Sequence, residues 1–259
     1  MAEPLTVSLF QFDMVWKSPS SNLEILNQWL ERIPDNTDLV VLPEMFLTGF
    51  SMDILDIAQP MDGEGVEWLK SVASSRNIVV MGSLAIKEVN QVYNRMLIAY
   101  PDGQLQWYNK RHLFRMGNEH RHFSQGDKLI VIKYKEWNIM PLVCYDLRFP
   151  VWSRNVDLKY DLLIYVANWP AVRRDAYITL LKARAIENQC YVVGVNRTGT
   201  DGNGINYSGD SVVVDYKGQF MTDLTETPGI INCTLSLEEL RKFRKNFPAY
   251  LDADSFEIK

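Results

Sequence analysis

No stretch of this chain is apolar over the ~20 residues that a membrane-crossing helix requires. The N-terminus, Met1-Ala-Glu-Pro4 followed by the β-rich run 5–12, has no basic segment ahead of a long apolar one, so no secretory leader is expected. Cysteine is scarce: Cys144, Cys190 and Cys233 are odd in number and far apart, and there is no CxxC pair. Such usage argues against a disulfide framework and against a structural zinc site, and it suits a reducing cytoplasm. Positive charge is not in excess. With a formal net charge of -5, the chain has no field to recruit nucleic acid or an anionic membrane. Internal repeats, low-complexity segments and linkers are absent as well.

What remains is enough for one large core. With 259 residues, 47% of them hydrophobic, the chain is expected to fold as a single α/β domain over 1–259, with an extended tail over 247–259. Apolar runs of strand length lie at 5–12, 38–42, 78–86, 92–100, 129–134, 137–143, 162–167, 191–195, 211–215, 219–223 and 230–235. Helical spacing marks a segment opening at Ser18-Pro19, then 63–76, 175–188 and 237–245, and a short helix is expected from Cys144 to about Asn155. Helices and strands alternate irregularly, with β-β pairs among β-α units. That pattern excludes a strict βα barrel and points to layered architecture with mixed strand directions.

Three of these runs stop abruptly at polar residues: Leu42 at Pro43-Glu44, Val143 at Cys144 and Ala167 at Asn168. In open α/β sheets ligands bind where strands end in this way. A cysteine at a strand-to-helix corner faces free backbone N–H groups and the positive end of the following helix, as a thiol nucleophile requires. A carboxylate beside the thiol can accept its proton, and Glu44, set among Met45, Phe46, Leu47 and Phe50, is the candidate. A nearby cation would favour thiolate and hold an oxyanion. Lys110 opens a polar segment, 109–127, that is too long for an idle connection. Such a Cys–Glu–Lys set performs acyl transfer through a thioester. Read singly, each residue has a plainer use: a buried cysteine, a capping carboxylate, a solvated lysine.

Together they resemble something specific. Leu42-Pro-Glu44-Met-Phe-Leu-Thr-Gly-Phe50, Tyr108-Asn-Lys110-Arg-His-Leu-Phe114 and Leu142-Val-Cys144-Tyr-Asp-Leu-Arg148-Phe-Pro150 are similar to the glutamate, lysine and cysteine motifs of the nitrilase superfamily of carbon–nitrogen hydrolases. Order and spacing agree, with Lys110 lying 66 residues after Glu44 and Cys144 another 34 on. The resemblance extends to the hairpin at 215–219. It implies a four-layer α-β-β-α sandwich, a homodimer, no cofactor, no metal, and a second glutamate after the lysine. Glu119 is the only acidic residue between Lys110 and Gly126; its plainer use is a surface partner for Arg115 or Arg121. By the same resemblance Glu44 is the base, Cys144 the nucleophile, and Lys110 with the Tyr145 N–H the oxyanion site. Glu119 would orient Lys110 or the substrate amide.

Within the family the chain looks most like the omega-amidase branch, which cleaves terminal amides of 2-oxo acids. A small amide substrate bearing a carboxylate calls for a guanidinium. Arg148, Arg115, Arg173 and Arg174 are candidates, and Arg148 could equally pair with a structural carboxylate. Phe114, Asn168 and Trp169 are expected in the pocket wall. Asn168 departs from the small residue common in relatives. Other family amidases, N-carbamoyl hydrolases and nitrilases would use the same three residues. Three other readings stay open: a zinc site from His112, His120, His122 and Cys144, which Arg111, Arg115 and Arg121 disfavour; a Cys–His thiol protease; and a dimeric scaffold with an inert thiol. The tail residues Phe247, Tyr250, Leu251 and Phe256 are apolar enough to dock on a partner subunit or on the chain's own core.

Overall fold

The computed structural model describes residues 3–254 and 256–258. Met1, Ala2, Ser255 and Lys259, at the ends of the expected domain and in its tail, lie outside them. In chain order the elements are β1 (Leu5–Gln11), α1 (Pro19–Leu30), β2 (Leu39–Val41), α2 (Ile54–Ile57), α3 (Glu64–Arg76), β3 (Val79–Glu88), β4 (Gln91–Ala99), β5 (Leu105–Asn109), α4 (Glu119–His122), β6 (Ile132–Tyr134) and β7 (Trp137–Val143). There follow β8 (Leu162–Ala167), α5 (Arg174–Asn188), β9 (Tyr191–Asn196), β10 (Thr198–Thr200), β11 (Asn206–Ser208), β12 (Val212–Val214), β13 (Gly229–Leu235) and α6 (Leu237–Asn246).

Two mixed sheets carry the fold. The first has the order β13-β1-β2-β3-β4-β5, with β1, β2 and β3 parallel. The second has the order β12-β9-β8-β7-β6, with β7, β8 and β9 parallel. Successive strand residues point to opposite faces, so each sheet feeds two layers. Phe10, Val40, Leu42 and Val80 pack with Leu26 of α1 and Leu69 of α3. Their neighbours Leu9, Val41, Val79 and Met81 share one cluster with Leu142, Ile164 and Val193 of the second sheet and with Leu181 of α5 and Leu240 of α6. The result is an α-β-β-α sandwich. Leu162–Ala167 is buried at every residue, as a parallel strand covered on both sides must be.

Three sequence expectations change in detail. The helix expected from Cys144 to about Asn155 is a 3₁₀ turn over Cys144–Arg148, because Pro150 disfavours helical geometry at Phe149, which sits at φ -116°, ψ 87°. The hairpin expected over 211–223 reduces to β12 and one bridge from Val214 to Phe220; the Thr222 hydroxyl replaces a ladder partner by accepting the Val213 N–H. The tail, expected to be extended, makes a 3₁₀ turn over Ala249–Asp252; Phe247, Leu251 and Phe256 stay largely exposed, Tyr250 is half-buried, and the Phe247 ring lies 6.0 Å from Phe243.

The segment after β5 is closed at its base. Gly126 donates its N–H to the Lys110 carbonyl at 2.9 Å, and a Cβ there would lie 2.1 Å from the Asn109 carbonyl oxygen. Gly126→Ala is therefore expected to destabilise the protein by about 1–3 kcal/mol, the usual range for forced overpacking, read as a lower urea midpoint.

Candidate active site

The strand ends converge. Val143 of β7 pairs with Val166 of β8, so Cys144 and Asn168 leave neighbouring parallel strands on the same edge. Asn168 then reaches the other sheet's connection: its N–H donates to Glu44 Oε2 at 2.8 Å and its Nδ2 to the Glu44 carbonyl at 2.5 Å. Two residues here hold the left-handed backbone that non-glycine side chains avoid, Met45 at φ 45° and Cys144 at φ 43°. Each costs on the order of 1–3 kcal/mol and is retained where the surroundings over-determine it. At Cys144 it makes the corner between β7 and the 3₁₀ turn, whose first N–H groups have no partner within the turn.

Lys110, one residue past β5, is 1% exposed. Its Nζ donates to Glu44 Oε1 at 2.8 Å and to both oxygens of Glu119 at 3.0 Å. Glu44 and Glu119 are fully buried. Further donors share the load: Asn94 Nδ2 bonds both carboxylates, at 2.7 and 3.1 Å, and the Phe114 N–H bonds Glu119 at 2.6 Å. Burial opposes the ammonium charge, but Glu119 and Glu44 outweigh it and hold Lys110 above its ordinary pKa. Burial and the neighbouring Glu44 charge push the Glu119 carboxyl up, against Lys110. Burial first, and Glu44 second, push the Cys144 thiol well above its ordinary value despite Lys110. Lys110 favours the thiolate, as expected of a cation, but burial and Glu44 outweigh it.

Cys144, Glu44, Lys110, Tyr145, Phe114, Arg148, Asn168 and Trp169 all line one cavity of about 290 Å³. Glu119 is not in its wall; it stands behind Lys110, away from any surface partner. Among the four arginines, Arg148 and Arg173 line the cavity. Arg174 is held by Asp210 through two bonds, at 2.6 and 2.8 Å, and Arg115 is exposed outside it. None of the three histidines lines the cavity, so a thiol–imidazole pair has no base at the sulfur. His112 instead lies 2.8 Å from Asp146. Among the described residues, no group of three or more His, Cys, Asp or Glu is gathered as a cation site needs.

Sequence reasoning missed Asn94, Ser83 and Asp146. Ser83 donates to Asn94 Oδ1 at 2.9 Å and accepts the Met45 N–H at 2.9 Å, tying the strained turn after Glu44 to the charged cluster. A signal existed: Ser83 and Asn94 are polar positions inside apolar strands.

Removing the ammonium would strand two buried carboxylates. Lys110→Met is expected to destabilise the fold by about 3–5 kcal/mol at pH 8, the range for a broken buried pair. Without Lys110, burial and mutual repulsion raise the carboxyl pKa further in the folded state, so the folded chain takes up a proton the unfolded chain does not. Stability of the variant should therefore rise as pH falls from neutrality toward the ordinary carboxylate range. Urea midpoints at pH 8 and pH 5.5 check the sign.

Known proteins share this architecture. The family model described as carbon-nitrogen hydrolase matches residues 6–245. The chain is 44% identical over 255 residues to the Omega-amidase YafV of Escherichia coli K12, covering 98% of each. It is 34% identical over 251 residues to the 2-oxoglutaramate amidase of Bacillus subtilis, covering 95% of this chain and 96% of that one. Its structure aligns with XC1258 from Xanthomonas campestris, a CN-hydrolase superfamily protein crystallised with an arsenic adduct in its active site, at a TM-score of 0.97 and 44% identity over 99% and 100% of the two chains. With its acid, ammonium and thiol gathered at one cavity on a two-sheet sandwich, this chain belongs to the carbon–nitrogen hydrolase family and is a hydrolase of amide C–N bonds.

Proposed function

We propose that the chain is an omega-amidase, cleaving the terminal amide of a short 2-oxo acid of the 2-oxoglutaramate or 2-oxosuccinamate type to acid and ammonia. The observation that carries this reading is a pair of guanidiniums with no carboxylate partner among the described residues, both at the wall of the cavity that holds the thiol. Arg148 lies over the Trp169 ring at 5.0 Å and Arg173 over the Phe114 ring at 5.3 Å. Aromatic shelves of this kind hold a guanidinium in place while leaving its N–H groups for a bidentate anion. The names carried by the Escherichia coli and Bacillus subtilis relatives support the same substrate class.

The chemistry follows from the placement of the three groups. Glu44 takes the proton from Cys144, and the sulfur attacks the amide carbonyl. Lys110 Nζ and the Tyr145 N–H hold the negative oxygen, strengthened by the dry surroundings. Glu44 returns its proton to the nitrogen, ammonia leaves, and a thioester remains. A water molecule gives Glu44 a proton and attacks the thioester; the proton returns to sulfur and the acid departs. Glu119 keeps Lys110 charged and aimed. Neither a cofactor nor a metal enters. Cys144, Cys190 and Cys233 are all free thiols, which fits an enzyme of the cytoplasm. We further infer a homodimer, for which exposed Phe247 and Leu251 supply apolar surface; light scattering on the purified protein reads its mass.

A screen of ammonia release over ω-amides of oxo acids, glutamine, asparagine, N-carbamoyl acids and nitriles tests the reading, with the oxo-acid amides expected to lead. Cys144→Ala should abolish release while the protein stays folded, and Glu44→Gln should stall acylation and deacylation alike. Near-parental turnover by Glu44→Gln would remove Glu44 as the base. Arg148→Met and Arg173→Met should each raise KM for the carboxylate-bearing amide by roughly 10–100-fold, the worth of a charge-assisted hydrogen bond, and leave propionamide unaffected. Equal losses on both substrates would dismiss the carboxylate clamp.

A further inference from the structure

One fully buried carboxylate takes no part in the steps above, yet four hydrogen-bonding groups converge on it. Asp146 Oδ2 accepts the Val143 N–H at 3.1 Å and the Tyr108 hydroxyl at 2.9 Å. Its Oδ1 accepts the His112 N–H at 3.0 Å and lies 2.8 Å from His112 Nδ1, whose proton the arrangement assigns to that nitrogen. Val143 immediately precedes the nucleophile. Tyr108 and His112 flank Lys110, two residues away on either side. The bracket is tightened from outside: the Tyr108 oxygen accepts from Trp152 Nε1 at 2.9 Å and from the Arg111 N–H at 3.1 Å, and the His112 ring stacks on Phe149 at 3.8 Å and 7°.

We propose that Asp146 is a positioning residue that sets the spacing of the two oxyanion donors, Lys110 Nζ and the Tyr145 N–H; this rests on Cys144 being the nucleophile. The two donors come from different sheets. Lys110 follows β5 in the first, and Tyr145 follows β7 in the second. Glu44 and Glu119 hold the ammonium head, but nothing in that pair fixes the lysine backbone against the Cys144 corner. Asp146 does, because it sits in the same 3₁₀ turn as Cys144 and Tyr145 and grips both flanks of Lys110. Four donors need about four lone-pair sites on one group, which an ionised carboxylate has and a carboxamide has not. An asparagine there would turn an NH₂ toward two of the groups that Asp146 accepts from.

The test separates positioning of the oxyanion from general damage. Glutarate semialdehyde forms a thiohemiacetal: the sulfur bonds to the aldehyde carbon, and the thiol proton passes by way of Glu44 to the new oxygen, which the two donors hold. Pentanoate, with a methyl group in place of the aldehyde, keeps the carboxylate and offers the two donors no oxygen. Asp146→Asn should lower kcat on the ω-amide about 100-fold with KM within about threefold, the scale of a displacement near 1 Å in a reacting site. Affinity for the semialdehyde should fall by a similar factor while pentanoate inhibition stays within threefold. Tyr108→Phe, which removes one of the four donors, should move the same quantities the same way by roughly tenfold, and it decides the matter alone if Asp146→Asn does not fold. The proposal is overturned if pentanoate and semialdehyde weaken together, or if both variants keep parental kcat. A parent enzyme that binds the semialdehyde covalently but releases no ammonia from oxo-acid amides would sink the substrate reading and leave this one standing. A parent that forms no adduct would overturn this proposal, and one that also releases no ammonia from oxo-acid amides would overturn both.

Discussion

One ammonium held between two carboxylates, all three out of water, is the constraint around which the site is built. Two negative groups and one positive group leave an excess negative charge in a dry place, and removing ions from water is expensive unless every lone pair and proton finds a partner. The surroundings meet that demand closely. Asn94 donates to both carboxylates, the Phe114 N–H donates to Glu119, and the Asn168 N–H donates to Glu44. Burial first, and the Glu44 charge after it, push the Cys144 thiol well above its ordinary pKa, which in the proposed reaction leaves activation to a transfer of its proton to Glu44.

The sandwich explains how such a cluster is reached. Glu44, Lys110 and Asn94 belong to the first sheet or its connections, whereas Cys144, Tyr145 and Asn168 leave the second. Neither sheet alone contains the site. It forms where the sheets pack, and three sets of bonds cross that seam: Asn168 to Glu44, Tyr108 to Asp146, and His112 to Asp146. Packing that stabilises the fold is thereby the packing that assembles the chemistry. Strain at Met45 and Cys144 is affordable for this reason, since both corners are held from each side.

Legibility differed with the kind of information involved. Buried strands announce themselves by continuous apolar runs, and their polar endings marked Glu44, Cys144 and Asn168 correctly as neighbours. Lys110 stood out at the head of the long polar segment, and Glu119 as the second glutamate that the family resemblance implies. Where local chemistry competes with a long-range partner, the reading slipped: the segment after Cys144 was shortened by Pro150, and the 211–223 hairpin was interrupted by the Thr222 hydroxyl. Asn94 and Ser83 could be seen as polar residues within strands but not as parts of one network, because their partners lie many residues away.

Local sequence sets most of the elements, the residues that carry reactive groups, and their order along the chain. Hydrophobic period, turn chemistry and motif spacing are local properties, written in neighbouring residues. It takes the packed fold to place Arg174 on Asp210 while Arg148 and Arg173 rest on aromatic rings at the cavity, to set Glu119 behind Lys110, and to make Asp146 join the two sheets. Charge pairing, burial and proton placement depend on distances between residues far apart in the chain, and those distances exist only once the sheets have packed.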